Sequence, residues 1–372
     1  MRVLSWLFAL FAVVTHSVSA QEAALPTGAV AGSVFCSDSQ TPCRFAAVTM
    51  ETAPPKDDNG PSPAVQAHSY SASADINGSF RIDLVLPGDY YILPRLAGYL
   101  TPYDIAANDF RDQGQKKKPP RDVMDASLTR ITVAAAQTTS VSLSLARGAS
   151  LGGTVLYDDG APGVNLPVHL YRKDPDGMWR AYWNLSGDSP LAPLGLGPHT
   201  DDRGRYYEPG LPPGKYKVEV TLPVATFAAM AITGSSGLNA AITKGDALQV
   251  FNGGRFRLAD APAIELQPGE DRSDIDLTIR TDGLRTVGGV VTSKVNQHGI
   301  AKGTVQLLDP QDKSVLREAD LKEDGSFVFQ YVVDGSYLVQ VQPNSPYPSV
   351  TAPLLVAGDV TDLNYSLANA GR

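Results

Sequence analysis

Apolar and polar positions alternate in short runs along this chain, and the runs recur in three copies. Each copy opens with a glycine-containing apolar run and continues with a second apolar strand. The opening runs lie at 28–35, 148–156 and 284–291, and the second strands at 47–50, 168–171 and 304–308. A period of two, broken by frequent turns, favours β-sandwiches or barrels over layers of helices.

The most specific repeated segment is a polar turn that closes on glycine and leads into a strand beginning with an aromatic residue. It occupies residues 75–82, 201–207 and 322–329. Glycine provides the positive φ of a tight turn. Alternation then predicts that Phe80 and Ile82 share one face of their strand.

A second turn follows in each copy, and a tyrosine comes two residues after its glycine, at Tyr90, Tyr216 and Tyr337. Proline presets φ in such turns and glycine closes them. We expect the tyrosines to anchor the core rather than to bind a ligand. Polar residues alternate with apolar ones in strands 216–220 and 337–341, which predicts one buried face and one wet face.

These segments resemble the carboxypeptidase regulatory-like domain, a member of the transthyretin-like and carbohydrate-binding-like β-sandwiches. The middle copy carries nearly the whole signature, in 153–155, 201–206 and 211–216; the others depart slightly in their second turn. The resemblance implies an all-β chain of three tandem prealbumin-like β-sandwich domains. It also implies non-catalytic accessory modules of exported proteins, some of whose relatives are grouped with polysaccharide-binding folds.

The repeat and the N-terminus together predict the domain boundaries. Arg2, the apolar run 3–14 and the small residues 17–20 match a secretory signal cleaved after Ala20, and an uncleaved anchor is the alternative. We therefore expect a signal peptide at 1–20 and sandwich domains at 21–147, 148–282 and 283–372. No later run reaches the roughly 20 apolar residues of a membrane span. The mature chain is expected outside the cytoplasm, in the periplasm, on the cell surface or released.

Charge and cysteine content narrow the partners and the compartment. The formal net charge is −8, which disfavours nucleic acid as a partner because the phosphate backbone would be repelled. Cys36 and Cys43 are the only cysteines. In an oxidising compartment they are expected to form a structural disulfide across a loop. A reactive thiol pair is the alternative, but the C-x-x-C spacing of redox sites is missing.

No catalytic or metal-binding motif stands out in the sequence. The histidines have no paired zinc-binding spacing, and no serine lies in a G-x-S-x-G elbow. The acidic turns near Asp75, Asp201 and Asp324 each offer only two or three side-chain oxygens, whereas calcium takes about six to eight. They are expected to bond their own backbone instead. We expect no catalytic residues, no metal and no cofactor.

Trp179, Tyr182 and Trp183 form the most notable local cluster. If exposed, these rings could stack on sugars as a carbohydrate-binding platform. Alternation puts Trp179 and Trp183 on one strand face and Tyr182 on the other. Because the tryptophan face is otherwise apolar, packing in the core is the favoured interpretation and a sugar platform the alternative.

The functional hypothesis is a binding module that presents loops and strand faces to a polysaccharide or to another envelope protein. Its rival is a structural spacer without a small ligand. An exposed aromatic cluster would favour binding, and a fully buried one would favour the spacer.

Overall fold

The structure is a computed structural model that describes residues 26–55, 67–109, 111–112, 115–116, 120–182, 198–223, 247–344 and 346–369. The predicted signal segment, Trp183 and the whole Ala/Gly/Ser-rich stretch 225–241 lie outside the described residues. Among the residues described, strands dominate and only two short helices occur. The prediction of an all-β chain is confirmed.

The strands fall into three groups along the chain. The first group, with both helices, is β1 (Gly28–Cys36), β2 (Thr41–Pro42), β3 (Ala47–Thr52), β4 (Ser69–Ser73), β5 (Ser79–Val85), β6 (Gly88–Arg95), β7 (Tyr99–Leu100), α1 (Pro102–Asp109), β8 (Arg111–Asp112), β9 (Gln115–Lys116), α2 (Arg121–Ser127), β10 (Thr129–Val133) and β11 (Thr138–Arg147). The second group is β12 (Ala149–Tyr157), β13 (Val168–Lys173), β14 (Trp179–Tyr182), β15 (Arg205–Leu211), β16 (Gly214–Pro223), β17 (Ala247–Phe251), β18 (Ile264–Leu266), β19 (Asp271–Arg272) and β20 (Leu277–Ile279). The third group is β21 (Leu284–Ser293), β22 (Gly303–Leu308), β23 (Val315–Asp320), β24 (Ser326–Val333), β25 (Gly335–Pro343), β26 (Val350–Val356) and β27 (Val360–Leu367).

Each group forms two main sheets with the same core connectivity, and the first group adds the two-stranded sheet β8–β9. We call the three units the first, middle and third modules. In one sheet the opening strand (β1, β12 or β21) pairs antiparallel with the strand after the aspartate–glycine turn and parallel with the closing strands of the module. In the other sheet the second strand (β3, β13 or β22) pairs with the tyrosine strand (β6, β16 or β25). The sequence repeat is therefore a repeat of topology.

Every module buries its own hydrophobic core between its two sheets. Phe80 and Ile82 are both buried in the first core, as their alternation predicts, and Phe327 and Phe329 occupy the third. A separate core in each unit is the mark of tandem sandwich modules rather than of one large sheet.

The tyrosines after the second turn are core anchors, as predicted. Tyr216 is fully buried, and its hydroxyl donates to the Pro212 carbonyl at 2.6 Å. Tyr90 and Tyr337 make the same bond to the carbonyl four residues earlier, each at 2.8 Å. The ring fills the core while the hydroxyl satisfies a turn carbonyl, so the residue closes the turn and the core together.

The acidic turns are Asx turns, as the sequence indicates. One carboxylate oxygen of Asp75 accepts from the backbone N–H groups of Asn77 and Ser79, at 2.8 and 2.9 Å. Asp201 binds two N–H groups in the same way, and Gly204 closes that turn with a φ of 75°. These carboxylates are occupied by their own backbone.

Cys36 and Cys43 form a disulfide, which confirms the predicted pairing. Cys36 ends β1 and Cys43 follows β2, so the bridge links the two ends of a hairpin loop. Both residues are buried in the first core.

Candidate functional site

The candidate aromatic cluster lies at the edge of the five-stranded sheet in the middle module. Among the described strands of that sheet, β14 lies at the edge and β13 lies between it and β16. Tyr182 pairs with Leu170 and Trp179 pairs with Lys173. Trp183 lies outside the described residues, so the structure places Trp179 and Tyr182 alone.

Tyr182 faces the core. Its ring packs edge-on against Tyr216 with the ring centroids 5.8 Å apart, and it joins the hydrophobic cluster of the middle module. Its pairing with Leu170, which is buried, fixes this side of β14 as the inner face. Tyr182 is therefore a packing residue and does not share a surface with Trp179.

Trp179 lies on the outer face of the sheet and is half-buried. Trp179 is therefore not packed in the core, and the core packing expected of the tryptophan face stays a prediction for Trp183, which lies outside the described residues. Alternation separates the two faces of a strand but does not say which one is inner, and here the pairing register assigns the inner face to Tyr182.

The Trp179 ring is held by a lysine on the same outer face. The ammonium of Lys217 lies 4.4 Å from the ring centroid, within the range of a cation–π interaction. The same ammonium donates to the carbonyl oxygens of Leu258 and Ala259, at 2.6 and 3.4 Å. Burial lowers the pKa of Lys217, and nearby Lys173 lowers it further, against an opposing effect of Asp260.

The outer face beside Trp179 carries a polar cluster, which we call the outer-face cluster: the half-buried Tyr171 and the buried Lys217, Glu219 and Thr221. Glu219 is only 1% exposed. Its carboxylate accepts from the Tyr171 hydroxyl at 2.7 Å and from the Thr221 hydroxyl at 2.9 Å. Burial, with Glu219 beside it, raises the pKa of the Tyr171 hydroxyl, so that this group stays a donor.

The burial of this cluster corrects a second expectation. The alternation in β16 predicts a wet outer face, yet Lys217 is 4% exposed and Glu219 less. The carbonyls of Leu258 and Ala259, about 40 residues further along the chain, contact Lys217 here. Because that contact is long-range, the local pattern of polar and apolar residues does not contain it.

His169 completes the description of this face. It pairs across the sheet with Glu219. Burial lowers the pKa of His169, partly opposed by the negative charge of Glu219 and reinforced by His199. The neutral imidazole lies beside a carboxylate that already accepts hydrogen bonds from two hydroxyl groups. It is suited to hydrogen bonding, and among the contacts described no nucleophile is aligned with it.

The described residues hold no group of three or more histidine, cysteine, aspartate or glutamate side chains able to bind a metal ion. Among these same residues, no helix is long and apolar enough to cross a bilayer. What the outer face provides is the partly exposed ring of Trp179, a fixed ammonium and hydrogen-bonding groups behind it.

No known protein family and no curated protein matches the sequence of this chain. Several solved structures are similar to parts or most of this chain. A streptococcal ancillary pilin is 10% identical, with 93% of this chain and 99% of that one covered and a TM-score of 0.29. The Bacillus anthracis TIE protein is 12% identical with a TM-score of 0.22; 93% of this chain matches, and it spans about half, 51%, of that protein.

A Pseudomonas aeruginosa protein provisionally described as carbohydrate binding is 16% identical over 32% of this chain and 90% of its own, with a TM-score of 0.18. All three TM-scores are low. The matches therefore say nothing about what this chain binds.

Proposed function

We propose that this chain is an exported, non-catalytic binding protein built from carboxypeptidase regulatory-like modules, and that it contacts a carbohydrate through the outer face around Trp179. The observation that carries the proposal is the placement of Trp179. Its indole lies on the outer face of an edge strand, half-buried, with Lys217 fixing the ring. The domain boundaries at 147/148 and 282/283 and the signal peptide at 1–20 belong to the same proposal.

An aromatic ring of this kind suits a sugar for a physical reason. The apolar C–H face of a pyranose ring loses water when it stacks on an indole, while its hydroxyl groups need hydrogen-bonding partners nearby. Because Lys217 anchors the ring, little rotamer entropy is lost on binding. Lys173, the exposed cross-strand partner of Trp179, provides an ammonium donor on the same face of the sheet.

Export is supported by two features. The N-terminal segment has the charge, apolar run and small-residue end of a secretory signal. The Cys36–Cys43 disulfide is typical of a protein that folds in an oxidising compartment. We propose a periplasmic, surface or released location on these grounds.

The test is a glycan array together with a pull-down on insoluble polysaccharides, using the mature chain. Trp179→Ala is the test variant, and Tyr207→Ala is the matched control because Tyr207 is an exposed aromatic residue of the same module. Truncating an aromatic anchor at an interface costs about 2 kcal/mol or more, which is about thirtyfold in affinity. Binding that survives Trp179→Ala unchanged would refute the assignment of the site.

A structural spacer or envelope-protein scaffold is the second candidate, favoured by the contacts at the module junctions. The Gly148 N–H donates to the Gly98 carbonyl at 2.9 Å, and Arg257 pairs with Asp309 at 2.9 Å across the next junction. Such contacts would stiffen a tandem array. A mature chain that binds no glycan but pulls down a defined envelope protein would favour this candidate.

A further inference from the structure

A cavity lies at the junction of the middle and third modules, and neither Trp179 nor any residue of the outer-face cluster lines it. Its volume is about 400 Å³, and it opens between the segment after β17 and the strands β23 and β24. Pockets of about 300–1,000 Å³ hold small ligands. The cavity is large enough for one sugar-sized molecule.

Arginine dominates the charged lining of this cavity. Arg255, Arg257, Arg280 and Arg317 line it, against the two carboxylates of Asp260 and Asp334. The chain as a whole has 31 basic and 39 acidic residues, so this lining reverses the charge of the molecule. A cleft lined by one sign of charge raises the local concentration of the opposite ion.

Two of the nearby carboxylates are already neutralised. Asp334 accepts two bonds from the Arg285 guanidinium, at 2.8 and 3.1 Å, which lowers the pKa of Asp334. Asp309 pairs with Arg257 at 2.9 Å. Because Asp334 and Asp309 are paired with Arg285 and Arg257, they do not cancel the charges of the other arginines that line the cavity.

Arg255 and Arg280 are the exposed arginines of the lining. Neither side chain forms a hydrogen bond or an ion pair with any residue that the structure describes. Arg317, in contrast, is buried, and its guanidinium contacts the Tyr331 carbonyl at 3.5 Å. Two guanidinium groups are thus available in a cleft whose other cations are anchored.

A β-bulge brings an aromatic ring to the same cavity. The register between β21 and β24 shifts at this point, and Tyr331 takes a φ of 58° there. Tyr331 lines the cavity and is 46% exposed. Bulges commonly re-aim side chains in this way. The ring provides an apolar surface beside the two arginines.

We propose that this junction cavity binds a small anionic sugar, one that carries a carboxylate or a phosphate. The planar guanidinium groups of Arg255 and Arg280 match the two oxygens of either anion, and Tyr331 can stack on the sugar ring. Because both adjoining modules provide lining residues, a bound ligand would also tie them together.

The test is isothermal titration calorimetry on the full mature chain with glucuronate, glucose 6-phosphate, glucose and inorganic phosphate at matched ionic strength. The test variant is Arg255→Gln with Arg280→Gln. The control is Arg44→Gln with Arg203→Gln, which removes the same charge from two exposed arginines elsewhere. The first two ligands distinguish a carboxylate from a phosphate as the recognised anion.

We expect one of the two anionic sugars to bind, and the cleft variant to weaken it by about tenfold or more, since a charged hydrogen bond contributes about 1.5–3 kcal/mol. The control variant and Trp179→Ala should bind as the wild type does, so failure of this site and failure of the Trp179 site are distinguishable. The proposal would be overturned if neither anionic sugar bound at about 1 mM, a dissociation constant that corresponds to a binding free energy of roughly −4 kcal/mol. Equal affinity for glucose or inorganic phosphate, or full affinity in the cleft variant, would also overturn it.

Discussion

Gly289 is a position where a single added methyl group should clearly damage the fold. It lies in β21, which pairs parallel with β27. A Cβ built on Gly289 would lie 1.9 Å from the Leu363 carbonyl oxygen. Gly32 and Gly153 show the same close approach in the other two modules, at 2.0 Å each. The repeated glycine is therefore required because the backbone of the neighbouring parallel strand approaches it so closely.

The expected cost of Gly289→Ala follows from this contact. The obstructing atom belongs to the backbone of β27, so relief requires the strand to move rather than a side chain to rotate. Overpacking of this kind costs about 1–3 kcal/mol. At about 2 kcal/mol, the local opening equilibrium of the third module rises about thirtyfold.

Hydrogen exchange followed by mass spectrometry on the full mature chain measures this directly, since it reads each module separately. Peptides from β21 and β27 should exchange about thirtyfold faster in Gly289→Ala, while the first module stays unchanged. Gly358→Ala is the matched control in the same module, because a Cβ there meets nothing within 4 Å. Equal exchange in the two variants would refute the steric reasoning.

Two further predictions concern the middle module. Tyr216→Phe leaves the buried Pro212 carbonyl without its hydrogen-bond donor at 2.6 Å, which should destabilise the module by about 1–3 kcal/mol. The urea midpoint of unfolding, followed by tryptophan emission, should fall, and an unchanged midpoint would contradict this. Burial raises the pKa of Glu208 from 4.5 to about 7, so the stability it contributes is full below pH 4.5 and falls as the pH rises to about 7. At about 1.4 kcal/mol for each pKa unit, the loss is about 3 kcal/mol. Glu208→Gln should remove this slope, and parallel pH profiles of variant and wild type would count against it.

Much of the fold could be predicted because its signals are local. Gly204 closes its turn with positive φ, Tyr216 anchors the core, and Phe80 shares a buried face with Ile82, all as the sequence indicates. Each of these features depends on residues only a few positions apart, and the same pattern occurs in all three copies of the repeat. The helices α1 and α2 were not predicted, because they are short insertions with no counterpart in the other copies.

The candidate site could be predicted only in part. The alternation correctly separates Trp179 from Tyr182, but the inner face is fixed by the register of β14 against β13. The burial of Lys217 depends on contacts with the distant Leu258 and Ala259. The arginines of the junction cavity likewise come from separate strands and loops of two modules, so no spacing in the sequence marks them.

The most direct test of the proposed function uses Trp179 as its own reporter. In the mature chain carrying Trp183→Phe, Trp179 is the only indole, since the remaining tryptophan lies in the signal segment. Titration with a soluble fragment of the polysaccharide selected by the pull-down should change its emission and saturate at the same dissociation constant as calorimetry gives. If the fragment binds by calorimetry while the Trp179 emission stays constant, the proposed contact is wrong.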